Sequence, residues 1–176
     1  MKKANLTFID LEMTGTDPGK HEIIEMACVV VSQPDLSMID TWEKKVKPQR
    51  IDLAEPDALR INNYSSNLWA DAVSLDEAMK EFREVVKGST ICGWNVYFDW
   101  LFLVKAFDIT GGWPEVHYHT LDVLPIAYAK LFDRTGIERF SLGEIAAYLG
   151  VDRGKAHTAL PDAIATFEVY KKLMQL

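Results

Sequence analysis

The chain has 176 residues, of which 48% are hydrophobic and 26% are charged, and its formal net charge is −7. This length fits a single domain over residues 1–176, and no apolar run approaches the roughly 20 residues that cross a bilayer, so we expect a cytoplasmic protein with no membrane partner. The negative charge argues against a basic nucleic-acid-binding patch, unless divalent cations neutralise several of the acidic side chains.

The chain begins with three strand-like segments. NLTFIDLE (5–12) is an apolar run closed by turn residues, IIEMACVVVS (23–32) is rich in β-branched residues, and the more polar TWEKKVK (41–47) is typical of an edge strand. Their short connections predict an antiparallel meander. The two cysteines, Cys28 and Cys92, lie in apolar strand-like runs, and we interpret them as reduced core thiols.

Downstream of these strands, helices alternate with strands. Capping boxes at Ser74 and Ser141 predict two helix starts, and Asp122 is placed to cap a third helix. The other predicted elements are a strand at 89–94, a helix at 95–109 that is buried on most sides, a strand at 117–122 and a last helix from Pro161. This order predicts an α/β protein with a mixed five-stranded sheet, an antiparallel meander followed by parallel strands, flanked by helices.

Two acidic residues, Asp10 and Glu12, close the first predicted strand. Residues i and i+2 of a strand project from the same face, so the two carboxylates lie side by side. Adjacent carboxylates repel and raise each other's pKa unless a cation lies between them. An isolated D-x-E is most simply a polar strand end that faces water, so this pair alone indicates little.

Two later segments carry further candidate ligands. Asp99 lies in the apolar segment GWNVYFDWLFL, where an unpaired charge is costly, although a helix dipole also favours an acid in the first turn. In GKAHTALPDA, a helix that begins at Pro161 leaves His157 in the preceding loop and Asp162 in the first turn, so both can reach one point. The remaining histidines are interpreted as surface or strand residues: His21, His117 and His119.

Four carboxylates and one histidine in three segments indicate a metal site. Oxygen ligands favour Mg²⁺ or Mn²⁺, whereas zinc prefers more histidine or cysteine. Two such ions about 4 Å apart can activate a water and stabilise the departing oxygen during attack on phosphorus. Histidine titrates near neutrality, which makes His157 the natural base for that water.

The segments FIDLEMTG, NVYFDW and HTALPD resemble, in order and spacing, the three exonuclease motifs of the DnaQ-like DEDDh family of 3′–5′ exonucleases. This family includes the bacterial polymerase proofreading subunit, RNase T and oligoribonuclease. The resemblance covers nearly the entire chain and implies an RNase H-like fold and two bound Mg²⁺ or Mn²⁺ ions. It implies metal binding by Asp10, Glu12, Asp99 and Asp162, and a general-base role for His157.

The resemblance also implies substrate contacts. The backbone around Met13 and Thr14 is expected to hold the terminal nucleotide, and Phe98 to contact a base, with Asn95 shaping the turn. In EPDALRINNYS, Asp57 and Asn62 fall where proofreading subunits contact substrate, although Asn62 replaces the usual histidine. Trp94 replaces a common histidine and is either a stacking platform or a core residue, whereas Trp100 is expected in the core.

The leading hypothesis is a metal-dependent exonuclease that releases nucleoside 5′-monophosphates from the 3′ ends of single-stranded DNA or RNA. DLEMTG and HYHTLDV resemble oligoribonuclease, whereas NVYFDW is closer to RNase T and the proofreading subunits, so the substrate sugar stays open. The alternatives are a polymerase proofreading subunit, a non-catalytic nucleic-acid-binding module and a hydrolase of small phosphodiesters. Because the chain ends directly after its last helix, a free-standing enzyme is favoured over a polymerase partner, with a homodimer left open.

Overall fold

The computed structural model describes residues 4–154 and 156–176, and within them five strands form one sheet in the order β3-β2-β1-β4-β5. Their bounds are β1 Leu6–Met13, β2 Ile23–Val31, β3 Met38–Lys45, β4 Thr90–Gly93 and β5 Leu121–Asp122. The first three strands pair antiparallel, whereas β4 is parallel to β1 and β5 is parallel to β4. The predicted α/β class, the mixed sheet and the edge position of β3 are confirmed.

Six α-helices lie within the described ranges. They are α1 Pro56–Ile61, α2 Leu75–Val85, α3 Val96–Thr110, α4 Val123–Leu131, α5 Leu142–Leu149 and α6 Ala159–Leu173. The three predicted caps form, because Ser74 Oγ accepts from the N–H of Glu77, Ser141 Oγ from that of Glu144, and Asp122 Oδ1 from that of Leu124. None of these helices combines the length and apolarity that a bilayer-spanning segment requires.

Apolar clusters pack on both faces of the sheet because side chains alternate along β1. Leu6 and Phe8 project toward α4, α5 and α6, where they meet Phe167 and Tyr170. Ile9 and Leu11 project to the opposite face and pack in the cluster that α2 and α3 complete. Because β1 is central in the sheet, both clusters fix its position, and with it the position of Asp10 and Glu12.

The elements differ from the sequence prediction in several places. Helix α1 was not predicted, and its six residues include none that is buried. Strand β5 comprises two residues rather than six, and α6 begins two residues before Pro161. Helix α3 is less buried than expected, because Tyr97 and Ile109 are exposed.

The interpretation of His21 as a surface or strand residue is wrong. Its side chain is 2% exposed and lies in the loop between β1 and β2, where Nδ1 accepts from the N–H of Asp17. A Cβ at Gly15 would lie 2.5 Å from the imidazole ring, so the glycine makes room for this histidine. His21 therefore packs inside the loop that follows β1. Cys28 and Cys92 are free and buried, as predicted, and burial raises the pKa of both thiols.

Candidate active site

A cleft of about 270 Å³ opens where the parallel strands β1, β4 and β5 end. In sheets of this kind, ligands bind outside the carboxyl ends of the strands. Nine of the residues predicted from the sequence line this cleft: Asp10, Glu12, Met13, Trp94, Asn95, Phe98, Asp99, His157 and Asp162. Leu11, Leu142 and Arg153 complete the lining.

Strand β1 presents its two carboxylates from the face that also carries Leu6 and Phe8. The Glu12 side chain is buried, whereas Asp10 is half-buried. The register of β1 on β2 shifts between Glu12 and Met13, so the acidic end of the strand is also the place where its regular pairing stops.

Asp99 lies in the first turn of α3 and is buried. Its Oδ1 atom accepts the backbone N–H of Leu11 at 3.1 Å. The pairing of β1 with β4 ends at Phe8 and Cys92, so Leu11 lies beyond the last paired residue of β1. The Asp99 carboxylate therefore satisfies a backbone donor of β1 that β4 is too short to reach.

The third motif also converges on this point. His157 is exposed in the loop before α6 with a φ of 59°, and the buried Asp162 lies in the first turn of the helix. The carboxylate oxygens of Glu12 and Asp162 and a ring nitrogen of His157 lie within 4.8 Å of one another. The predicted placement of His157 in the loop and Asp162 in the first turn is what the structure has.

Sequence reasoning missed Arg153. Its Nε and Nη2 atoms donate to Oδ1 and Oδ2 of Asp162, both at 2.6 Å, in a two-pronged ion pair. The N–H of His157 also donates to Oδ2 of Asp162, at 3.2 Å. The signal available in the sequence was a basic residue four positions before the motif histidine.

Three carboxylates of the cleft have raised pKa values, and burial is the main cause for each. Burial, with a further contribution from the Asp162, Glu25 and Asp99 carboxylates, raises the pKa of Glu12 to about 8. Burial also raises the pKa of Asp99 to about 7, although the hydrogen bond from Leu11 opposes the shift. The pKa of Asp10 is raised well above its ordinary value by burial and by the charges of Asp99, Glu12 and Asp162.

This donor set fits divalent cations. Several carboxylates converge in one cleft, and their raised pKa values show that the folded chain opposes their ionisation when no cation is bound. Oxygen donors with a single imidazole match Mg²⁺ or Mn²⁺ better than zinc. Asp10, Glu12, Asp99 and Asp162 are the residues that could hold such ions.

Apolar side chains also line the cleft, and together they form an apolar wall. Met13, Trp94, Phe98 and Leu142 contribute to it. Trp94 is half-buried and packs on the α6 side of the core, so the structure shows its core role, and its role as a stacking platform stays a prediction. Trp100 packs in the core with Phe107, as predicted, at a ring-centroid distance of 6.0 Å.

The turn before α3 is held by polar contacts. Asn95 adopts the left-handed conformation that asparagine tolerates, with φ 56° and ψ 44°. Its N–H donates at 2.9 Å to Oδ1 of Asp122, the atom that also caps α4. Asn95 thus shapes the turn, as expected.

Three predicted substrate-contact residues lie outside the cleft lining. Thr14 is buried, and its N–H and hydroxyl are both hydrogen-bonded to the backbone of Glu22. Asn62 is also buried and donates to the carbonyl of Met13 at 2.9 Å. Asp57 is exposed on α1 and pairs with Arg60. The structure therefore gives Thr14 and Asn62 contacts within the fold instead of open positions.

Comparison with known proteins identifies the family of this chain. The model of the RNase T-type exonuclease family matches residues 7–170. The PolC-type DNA polymerase III of Thermotoga petrophila is 28% identical over 176 residues, covering 98% of this chain but 12% of the polymerase. The chain therefore spans about one eighth of the length of that relative.

Two solved structures share the fold. Exonuclease I superposes with a TM-score of 0.83 at 20% identity, covering 98% of this chain and 41% of that one. Escherichia coli exonuclease I in complex with a dT13 oligonucleotide gives a TM-score of 0.81 at 20% identity, with the same coverage. The family match spans nearly all of the described chain, and the protein belongs to the DnaQ-like RNase T exonuclease family, a family of hydrolases.

Proposed function

We propose that this protein is a metal-dependent 3′–5′ exonuclease that releases nucleoside 5′-monophosphates from single-stranded DNA or RNA by two-metal-ion hydrolysis. The observation that carries the proposal is the convergence of Glu12, His157 and Asp162 within 4.8 Å in the cleft that Asp10 and Asp99 also line. Family membership supports the direction of cleavage.

The carboxylates have the role of holding the cations. Asp10, Glu12 and Asp162 would bind the more tightly held ion, Asp10 would also contact the second, and Asp99 would support that second ion. Bound Mg²⁺ or Mn²⁺ supplies Lewis acidity, which activates a water and stabilises negative charge on the departing oxygen. Ionisation of the three carboxylates whose pKa is raised is then favoured, because the opposing charge is present.

His157 accepts the proton of the attacking water. Its side chain is exposed at the mouth of the cleft, so the imidazole can both receive a proton and return it to solvent. The N–H of His157 donates to Asp162, which ties the position of the base to a metal-binding carboxylate. A base placed in this way contributes roughly 10²–10⁴-fold to the rate.

The apolar wall accommodates the bases at the 3′ end. Phe98 and Trp94 line the cleft, and a base that stacked on either ring would gain roughly 1–3 kcal/mol. Stacking does not depend on the sugar, so it admits either DNA or RNA. The complex of Escherichia coli exonuclease I with a dT13 oligonucleotide supports single-stranded DNA as one substrate.

The test uses single-stranded DNA and RNA oligonucleotides of several lengths, labelled at either end, with Mg²⁺, Mn²⁺ or EDTA. Stepwise shortening from the 3′ end is expected, and EDTA should abolish it. Asp10→Ala should remove activity, and His157→Ala should lower it by about 10²–10⁴-fold. His119→Ala, a change at an exposed histidine outside the cleft, is the matched control. Parent-like activity in both cleft variants would refute the assignment.

A second candidate function is proofreading within a polymerase assembly. The match of 98% of this chain to one eighth of a PolC-type DNA polymerase III favours it. Affinity purification from cell extract, with the Asp10→Ala variant as bait to preserve bound nucleic acid, tests this candidate. Recovery of a polymerase after nuclease treatment supports proofreading, and its absence leaves the free-standing enzyme.

A further inference from the structure

Arg153 has no role in the reaction proposed above, yet it lies in the cleft. Among the cleft-lining residues that the structure describes, it is the one with a permanent positive charge. The hydrogen bonds to Asp162 and the charges of Asp162, Asp10 and Glu12 raise the pKa of its guanidinium. The side chain is 24% exposed, whereas that of its partner Asp162 is 5% exposed.

The ion pair occupies most of the acceptor capacity of Asp162. An ionised carboxylate offers about four lone-pair positions. Arg153 fills one on each oxygen, and the N–H of His157 fills a second position on Oδ2. One position on Oδ1 remains, so Asp162 cannot present both oxygens to a cation while Arg153 stays in place.

The surroundings leave room for the guanidinium. A Cβ at residue 143 would lie 3.1 Å from Nη1 of Arg153, and Gly143 has none. Helix α5 therefore approaches Arg153 closely without a side chain at that position. Since the arginine is also partly exposed, it can leave Asp162 without crossing a packed core.

Charge balance indicates what Arg153 does. Four carboxylates line the cleft, and without cations the single positive charge of Arg153 opposes the rise in the pKa of two of them, Asp10 and Glu12. Two divalent cations would neutralise those carboxylates. The positive charge of the guanidinium would then be unbalanced, next to a cleft that must admit a phosphodiester. Arginine binds phosphate oxygens with the same two-pronged geometry that it uses for carboxylates.

We propose that Arg153 exchanges between two anions, Asp162 in the metal-free protein and a substrate phosphate in the metal-loaded protein. This inference rests on the proposed function, since it assumes cations and a phosphodiester in the cleft. Arg153 then competes with the cations for Asp162 and afterwards strengthens substrate binding. The cation concentration at which the site becomes able to bind substrate is therefore set partly by this ion pair.

The first experiment measures Mn²⁺ binding by calorimetry in the absence of nucleic acid. Arg153→Gln should bind Mn²⁺ more tightly than the parent, on the order of tenfold, because a competing positive charge is gone. Arg153→Lys keeps the charge and should stay within about threefold of the parent. Arg134→Gln, which removes an exposed arginine that pairs with Asp133, is the control for net charge.

The second experiment measures binding of a fluorescent single-stranded oligonucleotide by anisotropy, with EDTA or with Ca²⁺, an ion that also takes oxygen ligands. The oligonucleotide is checked for integrity on a gel. In Ca²⁺, Arg153→Gln should bind about tenfold more weakly than the parent, because a phosphate contact is lost. In EDTA, the two should differ by less than about twofold, because Arg153 is then held by Asp162.

Three results would overturn the exchange. Weaker Mn²⁺ binding by Arg153→Gln would mean that the arginine orients Asp162 for the cation. An equal loss of oligonucleotide binding in EDTA and Ca²⁺ would mean a general attraction of charge, and behaviour matching Arg134→Gln in both experiments would mean no role. The calorimetric experiment needs no catalysis, so it gives an answer even if the parent cleaves no oligonucleotide and the proposed function fails.

Discussion

Strand β1 and helix α6 pack along one shared face, and the two ends of that interface have opposite character. At one end, the ring of Phe8 lies 5.4 Å from that of Phe167 and 5.5 Å from that of Tyr170, with all three side chains buried. At the other end, Glu12 meets Asp162 and His157. Glu12 is four residues along the same face of the strand from Phe8.

The difference shows how a repulsive cluster is kept together. Apolar burial stabilises the interface at the Phe8 end, by about 25 cal/mol for each square ångström removed from water. At the Glu12 end, burial and the charges of neighbouring carboxylates raise the pKa values of Asp10 and Glu12, so ionisation of these two side chains opposes folding when no cation is present. Packing at the aromatic end therefore fixes the distance between β1 and α6. That distance in turn determines how closely Glu12 and Asp162 lie to each other.

The largest expected effect on stability follows from shortening the apolar end. Phe8→Ala should lower the free energy of unfolding by about 3–5 kcal/mol, because it leaves a cavity against Phe167 and Tyr170. Urea denaturation in EDTA measures this without a contribution from bound cations. Phe132→Ala, at a residue that is 67% exposed, is the matched control. Equal losses in the two variants would show that the interface is not anchored at Phe8.

The acidic end should respond with the opposite sign. In EDTA at pH 8, Glu12→Gln should raise the free energy of unfolding by about 1–3 kcal/mol, because it removes a buried charge that repels its neighbours. In saturating Mg²⁺ the order should reverse, since the variant lacks a cation ligand and gains less from binding. Thermal unfolding in both conditions measures the effect. Glu84→Gln, an exposed position on α2, serves as the control.

The pH dependence follows from the same carboxylate. The pKa of Glu12 is about 8 in the folded protein against an ordinary value of 4.5. Between these values the folded protein keeps a proton that the unfolded chain has released, so stability falls as pH rises, by at most about 1.4 kcal/mol per pH unit. The metal-free parent should thus lose stability from pH 5 to pH 8, and the advantage of Glu12→Gln should vanish near pH 4. A flat parent profile would contradict the raised pKa.

At the acidic end, the sequence predicted the residues of the site better than the contacts that hold them. Alternation along β1 and the proline near the start of α6 predicted where Glu12 and Asp162 lie in their own elements, and the family resemblance brought the two elements into one site. The ion pair of Arg153 was missed, because a basic residue before the motif histidine was its only signal and the contact depends on the path of the loop between α5 and α6, which has no periodic pattern. The hydrogen bond from the N–H of Leu11 to Asp99 was missed for a similar reason, since it forms because β4 ends before it can pair with Leu11.

Fold-level predictions failed where local signals were weak or misread. Helix α1 is short and has no buried residues, so no periodic pattern of hydrophobic residues predicts it. The burial of His21 was missed because it depends on contacts that the sequence pattern does not show. These contacts are the hydrogen bond from the N–H of Asp17 and the space left by the missing side chain of Gly15. The family motifs, by contrast, bring together distant segments whose individual signals are weak, and they therefore identified the cleft.

A smaller effect is expected at Asn62, which separates a structural role from a substrate contact. Its side chain donates to the carbonyl of Met13, next to the acidic end of β1. Asn62→Ala leaves that carbonyl without its donor and should lower the free energy of unfolding by about 1–2 kcal/mol. Under the structural role, the KM for a short oligonucleotide changes by less than about twofold. A large rise in KM with unchanged stability would instead restore the predicted contact with substrate.

The smallest effect is expected at Asp57, which lies outside the interface of β1 and α6. Its side chain is 85% exposed, and its ion pair with Arg60, at 3.2 Å, joins two side chains in contact with water. Such pairs contribute little, so Asp57→Asn should change the free energy of unfolding by less than about 0.5 kcal/mol. If the site is confined to the cleft, KM and kcat should both stay within about twofold of the parent. A rise in KM of more than about fivefold at unchanged stability would show that α1 contacts the bound oligonucleotide. The acidic end of the interface would then be only one part of the substrate site.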